Sequence, residues 1–388
     1  MFEKELTKCL ICGNNSNEEF DLGDYFLSMS LLEIDSNVSL REYPKYNYNL
    51  KFCKSCNYFW LKNLHPSLKN IDGPIKYHDL RFISNEPESH FNDLLNWFLN
   101  LGILEDVNDI GLVSYKDKSL LEKIGIRNIS SSLIWKNSDL LSISRTLINK
   151  NKSNKLINIK RFDLILARHV LEHLSDPGNL IETLKSMLKK NGIIYFEIPS
   201  PVYMINRGFS YYLWEEHTSY FSVESLRRIF EKYKFNSYFT TFDNGFEPIV
   251  SVIVTEKILK NKEYEDFKFS DVNLSIEKFK KKHLENKNKI RNFLKKENIK
   301  NLYFLGAGHL GIKLISFYDI ADFIVGIVDD MPNKQDKVSI STGLKIYSSN
   351  NLSRSSTLLH SLPPESVIRV KRNPNYSSHK LISINDII

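Results

Sequence analysis

One stretch constrains the fold of this chain more than any other: RFDLILARHVLEHLSDPGNLIETLKSMLKKNGIIYFEIPSP, residues 161–201. FDLILA is an apolar run of strand length, and it is expected to end at Ala167. DPGNLIETLKSMLKKNG reads as a helix, with Asp176 as cap, Pro177 at the first position and Gly192 at the end. GIIYFEIPSP is a second strand, stopped by Pro199. Strand, helix and strand in this order imply a parallel sheet with a right-handed crossover, so an α/β class is expected.

The remaining segments extend the pattern. ESHFNDLLNWFLNLG (88–102) places Phe91, Leu94, Leu95, Phe98 and Leu99 on one helical face and ends at Gly102. EDVNDIGLVSY is strand-like, and DKSLLEKIG is helix-like up to Gly125. SVESLRRIFEKYKF (222–235) is a helix, followed by two antiparallel edge strands, NSYFTTFDN and EPIVSVIVTEK. IEKFKKKHLENKNKIRNFLKKENI (276–299) reads as a basic connector helix docked through Ile276, Phe279, Ile290 and Phe293.

A chain of 388 residues is too long for one ordinary core, so two or three domains are expected. No run of 18 apolar residues occurs, which argues against a membrane span. The start, MFEKELTKCLICG, lacks the apolar core of a secretory signal, and a cytoplasmic location is expected. The net charge, 53 − 46 = +7, is mild, and the basic residues form no stripe interleaved with aromatics. No nucleic-acid partner is therefore required.

All four cysteines lie in the first 56 residues, as CLIC (Cys9, Cys12) and CKSC (Cys53, Cys56). Two C-x2-C pairs can bring four thiolates to one tetrahedral zinc with no open coordination position, so a structural site is expected. The 40 residues between the pairs would form an inserted loop. Redox pairs or buried free thiols are the alternative.

Polar residues cluster after the strand at Ala167: Arg168, His169, Glu172 and His173. Open α/β sheets bind ligands at the carboxyl ends of their strands, so this cluster is placed for a site. The same histidines could equally be helix-surface residues in i,i+4 contact. H-x-x-E-H, His169 to His173, also has the look of a metalloprotease string, but no separate ligand helix accompanies it. Downstream, YYLWEEHTSYFS sets Glu215 and Glu216 beside His217, and a histidine next to a carboxylate can act as a general base. LYFLGAGHLG carries G-x-G-x-x-G (Gly306, Gly308, Gly311) between a strand and a helix, with Asp329 23 residues after Gly306. That context alone favours a dinucleotide such as NAD.

Taken together, the two cysteine pairs, LARHVLEHL, GIIYFEIPSP and EEHTSYFS resemble the three-domain sugar-nucleotide C-methyltransferases dependent on S-adenosylmethionine (SAM). YHDLRFISNEPESHF resembles that family's approach to its middle domain, so the likeness extends over nearly the whole chain. It implies a class I methyltransferase-like Rossmann domain flanked by a small zinc module and a second Rossmann-like α/β domain. The corresponding ranges are 1–75, 76–260 and 261–388.

The resemblance also implies chemistry. A base removes a proton next to the ketone of a nucleoside-diphosphate-linked keto-deoxysugar, and the enolate carbon takes the methyl group of SAM. His217 matches the base, with Glu216 beside it. Asp109 and Gly111 match the start of the SAM loop, and Arg168 and His169 lie where the cofactor is bound. Trp214 stands where the family has a tyrosine, and with Gly306, Gly308 and Gly311 it would meet the nucleotide sugar. VDD-x-P-x-K-Q also matches, whereas the tail ESVIRVKRNPNYSSHKLISINDII lacks the family's Trp-Asn string. Leu112 to Tyr115 replace the glycines of the SAM loop, and Ser130 to Ser132 offer no ribose-binding acid before Asp139. A relative that binds the sugar nucleotide without SAM, an NAD-dependent oxidoreductase and a zinc-ribbon nucleic-acid binder are the other readings. The expected partner is a nucleotide sugar, with neither nucleic acid nor membrane, and the expected state is a monomer or homodimer.

Overall fold

The computed structural model describes residues 6–15, 18–28, 31–33, 45–64, 88–124, 130–134, 160–243, 248–259, 274–353 and 355–388. The expected boundaries near 75 and 260, Gly125, Asp139 and most of YHDLRFISNEPESHF lie outside them. Among the described residues no helix is long and apolar enough to cross a membrane.

The central sheet has the order β10-β11-β8-β7-β5-β6. Its strands are β5 (Asp109–Leu112), β6 (Ser130–Leu133), β7 (Phe162–Arg168), β8 (Leu188–Pro199), β10 (Asn236–Asp243) and β11 (Pro248–Thr255). β6, β5, β7 and β8 are parallel, and β11 runs antiparallel to both β8 and β10. The expected outer pair is therefore only half at the edge, because β11 is an interior strand. Pro248–Thr255 is buried at every position, as a strand covered on both faces must be. The strand order reverses between β5 and β7, and open α/β sheets bind ligands at such a switch point.

Two expectations need correction here. The helix predicted to reach Gly192 is α3 (Pro177–Ser186), the helices before it being α1 (Glu88–Asn100) and α2 (Tyr115–Lys123). Asp176 does cap it, accepting the Asn179 N–H at 3.1 Å. The chain then enters β8 at Leu188, which pairs with Phe162, and bulges through Asn191 (φ 62°) before Ile193 pairs with Leu164. The bulge brings Lys189 to Asp109 and Asp163, at 2.7 and 2.9 Å, a reach that continued helix would not give. The other correction concerns β7, which runs one residue further than Ala167 because Arg168 pairs with Glu197.

A second sheet combines β1 (Glu18–Phe26), β3 (Lys45–Cys53), β4 (Tyr58–Leu61) and β9 (Ser219–Phe221), in the order β1-β3-β4-β9. β9 comes from the segment just after His217 and pairs antiparallel with β4, Tyr58 facing Phe221 and Trp60 facing Ser219. The cysteine segment thus builds directly onto the strand that carries the histidine loop. β4 is fully buried, with Trp60 Nε1 donating to the Leu6 carbonyl.

A third sheet is all parallel, in the order β15-β13-β12-β16-β17: β12 (Leu302–Leu305), β13 (Gly326–Val328), β15 (Ile346–Tyr347), β16 (Thr357–His360) and β17 (Lys380–Ser383). A short ribbon joins β2 (Leu31–Glu33) to β14 (Lys337–Ser339). The remaining helices are α4 (Pro201–Arg207), α5 (Val223–Lys232), α6 (Ile276–Glu297), α7 (His309–Phe317) and α8 (Pro364–Arg372). The basic helix α6 is docked as expected through Ile276, Phe279 and Ile290, with Phe293 half-buried and Leu294 buried beside it.

Candidate functional site

Three elements converge beside the carboxyl ends of β7 and β8. β7 ends at Arg168, and the chain turns sharply at His169, whose φ of 50° is left-handed. A single 3-10 turn, Leu171–His173, follows. His169 and His173 are therefore not residues of a helix surface. The loop before β9 brings His217 alongside. Thr218 Oγ1 donates to the His173 carbonyl at 3.5 Å and Ser219 Oγ to the Leu174 carbonyl at 3.3 Å, tying loop to turn. The rings of His173 and His217 stand nearly perpendicular, with centroids 4.7 Å apart.

The predicted base and its neighbours are thus brought together. Glu216 is buried, with Oε2 3.9 Å from His173 Nδ1. Trp214 lies 4.9 Å from the His217 ring and stacks on His309, the first residue of α7, at 4.4 Å and 16°. His217 is held well below the ordinary histidine pKa of 6.5, first by burial and then by the surrounding His173, His309 and Lys313. Burial, aided by Lys313 and opposed by Glu215, brings His309 down to about 3. Both rings are neutral near pH 7, so His217 can accept a proton.

Glu215 does something different from Glu216. Its Oε1 accepts the Ser28 N–H and hydroxyl, each at 2.8 Å, and its Oε2 accepts the Tyr48 hydroxyl at 2.6 Å and pairs with Lys313 at 2.7 Å. One carboxylate ties the histidine loop to the cysteine-bearing segment and to α7. Sequence reasoning missed this staple, although a lone lysine in the apolar helix HLGIKLISF was a signal for it.

Behind the histidine turn lies an ion-pair network centred on Glu197. Glu197 accepts Arg168 Nε at 2.5 Å, His90 Nε2 at 2.9 Å and the Tyr195 hydroxyl at 2.5 Å. Burial would raise its pKa, but Arg168 and His90 outweigh this and hold it at about 2. Arg168 is 2% exposed, so it braces the end of β7 through Glu197 rather than facing solvent. His169 sits at the rim, 19% exposed, 3.6 Å from both Glu172 and Glu197.

The expected cofactor loop is only partly where it was expected. Asp109 lies at the amino end of β5, away from the crevice, in ion pairs with Lys160 at 2.5 Å and Lys189 at 2.7 Å. Those lysines make it a stabiliser of the sheet's far end. Gly111 is required by packing, since a Cβ there would meet Phe162 at 2.9 Å and Ile134 at 3.1 Å. At the carboxyl end of β5, the Ser114 N–H is taken by Asp117 Oδ2 at 2.9 Å, a capping contact for α2. Asp117 is fully buried and its Oδ1 accepts no hydrogen bond among the described residues. Burial, partly offset by Arg168 and the Ser114 N–H, pushes its pKa up to about 7. β6 ends at Leu133 without an acid.

In the third sheet Gly306 has φ 102°, which a side chain would strain, and a Cβ on Gly311 would meet the Gly306 carbonyl at 2.6 Å. Gly308 caps α7. Asp329, the residue expected to hold a dinucleotide ribose, is already engaged by the Ala307 N–H at 2.8 Å and by Lys334 at 3.1 Å. The NAD reading loses its acid on that account. A cavity of about 260 Å³ lies further along the same sheet, lined by Leu294, Asn298 and Phe323 among others. It holds none of the histidines or carboxylates of the crevice, so the chemistry of the donor groups outweighs hollow volume in locating the site.

The four cysteines also meet. Their sulfurs lie within 4.8 Å of one another, and each pair is followed by a left-handed residue, Gly13 (φ 75°) or Asn57 (φ 52°), that turns the chain back. No disulfide joins them, and burial pushes the Cys9 thiol up to about 12. A divalent ion would stabilise the thiolates, and the donor set fits zinc.

Residues 106–238 match the family model described as a methyltransferase domain. No curated protein matches. Among solved structures, the N-methyltransferase NodS from Bradyrhizobium japonicum, in complex with S-adenosyl-L-homocysteine, is 13% identical, covers 49% of this chain and 97% of its own, with TM-score 0.30. An O-methyltransferase family protein from Burkholderia thailandensis is 10% identical, covering 46% of this chain and 61% of its own, with TM-score 0.33. A SAM-dependent methyltransferase from Archaeoglobus fulgidus is 15% identical, covering 44% and 94%, with TM-score 0.31. At such TM-scores none of these likenesses bears on substrate or mechanism. The family match and the strand order of the central sheet together support a methyltransferase domain of the class I fold.

Proposed function

We propose that this protein transfers a methyl group from SAM to the carbon beside the ketone of a nucleoside-diphosphate-linked keto-deoxysugar. The observation that carries the proposal is a neutral, partly exposed His217 at the carboxyl end of the parallel strands of a domain that matches methyltransferases. In this reading SAM would lie at the switch point between β5 and β7. Asp117 Oδ1, buried and without a hydrogen bond, is the acceptor that the ammonium of a methionine moiety would satisfy. The ribose would be held without the acid that usually ends the second strand, since β6 ends at Leu133.

When bound, SAM supplies an electrophilic methyl carbon. His217 takes the proton next to the ketone, and the electron pair left on that carbon forms the new bond as the methyl–sulfur bond breaks. Glu216 orients the loop through His173, and Trp214 with His309 forms an aromatic wall for the sugar nucleotide. The amino end of α7, with Gly306, Gly308 and Gly311, suits the diphosphate. In this reading the cysteine segment is a small zinc module, residues 261–388 include a second Rossmann-like domain, and the zinc is structural. The protein then works in the cytoplasm as a monomer or homodimer.

The test is exchange of solvent deuterium into the carbon beside the ketone, followed by methyl transfer when SAM is added. Wild type is expected to do both and His217→Ala neither. Failure of SAM to bind at millimolar concentration in calorimetry would overturn the reading and leave a protein that binds sugar nucleotides without transferring a methyl group.

A further inference from the structure

Glu172 is unusual among the described carboxylates. It is 1% exposed, and neither of its oxygens accepts a hydrogen bond among the described residues. A buried carboxylate without donors is costly unless a cation meets it. Its near neighbour His169 stands 3.6 Å away, beyond hydrogen-bond reach. The methyl-transfer reading gives Glu172 no work.

The groups around it supply what a metal site needs. Glu172, His173 and His217 each present a ligand atom, and these atoms lie within 4.8 Å of one another. Two imidazoles and one carboxylate form a donor set suited to borderline divalent ions such as zinc or iron(II). The backbone fixes the geometry, because the 3-10 turn presents Glu172 and His173 from adjacent positions while the Thr218 and Ser219 hydroxyls hold the His217 loop against them. Glu216 lies 3.9 Å from His173 Nδ1, and a carboxylate behind a ligating histidine is a recurrent support at metal centres.

We propose that Glu172, His173 and His217 bind a divalent transition-metal ion, at a site distinct from the four cysteines. A neutral imidazole has one nitrogen lone pair, so His217 cannot hold the ion and take a proton at once. The ion therefore competes with deprotonation and inhibits any reaction that uses His217 as base. The metal site itself does not depend on methyl transfer.

Cobalt(II) titration of the full chain tests this. The cysteine site gives a thiolate-to-cobalt charge-transfer band in the near ultraviolet, whereas a site of imidazole and carboxylate does not. Wild type is expected to bind a first equivalent with that band and a second without it. Glu172→Gln, close in shape, and His173→Ala are each expected to weaken the second equivalent at least about tenfold. The retained thiolate band reports in the same sample that the variant is folded. A wild type that binds no second equivalent overturns the proposal. So does a second equivalent that survives both substitutions with less weakening than that.

Discussion

Glu215 Oε2 and Lys313 Nζ stand 2.7 Å apart, with side chains 0% and 2% exposed. The pair links the histidine loop to α7, and the same carboxylate is held by Ser28 and Tyr48 from the cysteine-bearing segment. Burial pulls the Lys313 pKa down to about 8, against the upward pull of Glu215. Removing one member of such a pair strands the other charge, which costs about 3–5 kcal/mol. Lys313→Ala is therefore expected to lose about that much stability in denaturant titration, whereas Lys313→Met with Glu215→Gln should lose clearly less. Equal losses would mean that packing around the lysine stem, rather than the stranded charge, sets the cost.

Asp117 gives a prediction of the opposite sign. Its pKa is raised to about 7 from an ordinary 3.8. Between those values the folded chain holds a proton that the unfolded chain releases, so stability falls as pH rises through that window and the full cost is present above it. Asp117→Asn keeps an acceptor for the Ser114 N–H and removes the cost. It is expected to raise stability at pH 8 by on the order of 2–4 kcal/mol and to change little at pH 3.5. In the proposed function it also weakens SAM binding. Calorimetry against pH, with and without SAM, measures both.

His217 predicts the shape of the activity profile. Its pKa lies well below 6.5, so it remains unprotonated when an ordinary histidine would already be charged. The acid limb of kcat/KM is expected below pH 6.5, with a plateau across neutral pH. A limb centred at or above the ordinary histidine value would show that His217 is not the base.

The sequence carried the parallel strands, their caps and the four cysteines because each depends on local chemistry: apolar run length, Asp176 before Pro177, and C-x2-C spacing. The adjacency of Glu216 and His217 was legible for the same reason. The roles of Asp109, Glu215 and Asp329 were not, because a carboxylate's task depends on which cation or N–H the fold brings to it. Asp109 meets two lysines at the wrong end of the sheet, and Asp329 closes its own glycine loop. Gly111 could be noticed in the sequence, but only the position of the Phe162 ring explains it. The early end of the helix after Asp176 had the same origin, since Leu188 and Lys189 answer to β7 and Asp163 rather than to the glycine at 192.

The link from the cysteines to the histidine loop yields the last prediction. β4 starts two residues after Cys56, and its pairing with β9 fixes Ser219–Phe221, while the Leu61 N–H donates to the Thr218 carbonyl at 2.9 Å. Thr218 is the residue next to His217. Without a metal, the turn that carries Cys53 and Cys56 loses its cross-link. Chelation of zinc, or Cys56→Ser, is therefore expected to speed hydrogen exchange in residues 58–61 and 217–221 while leaving β12 and β16 protected. Uniform loss of protection across all three sheets would instead mean that the cysteine site holds up the whole molecule. Unchanged exchange at 217–221 would mean that the histidine loop is held by Glu215 and its partners alone.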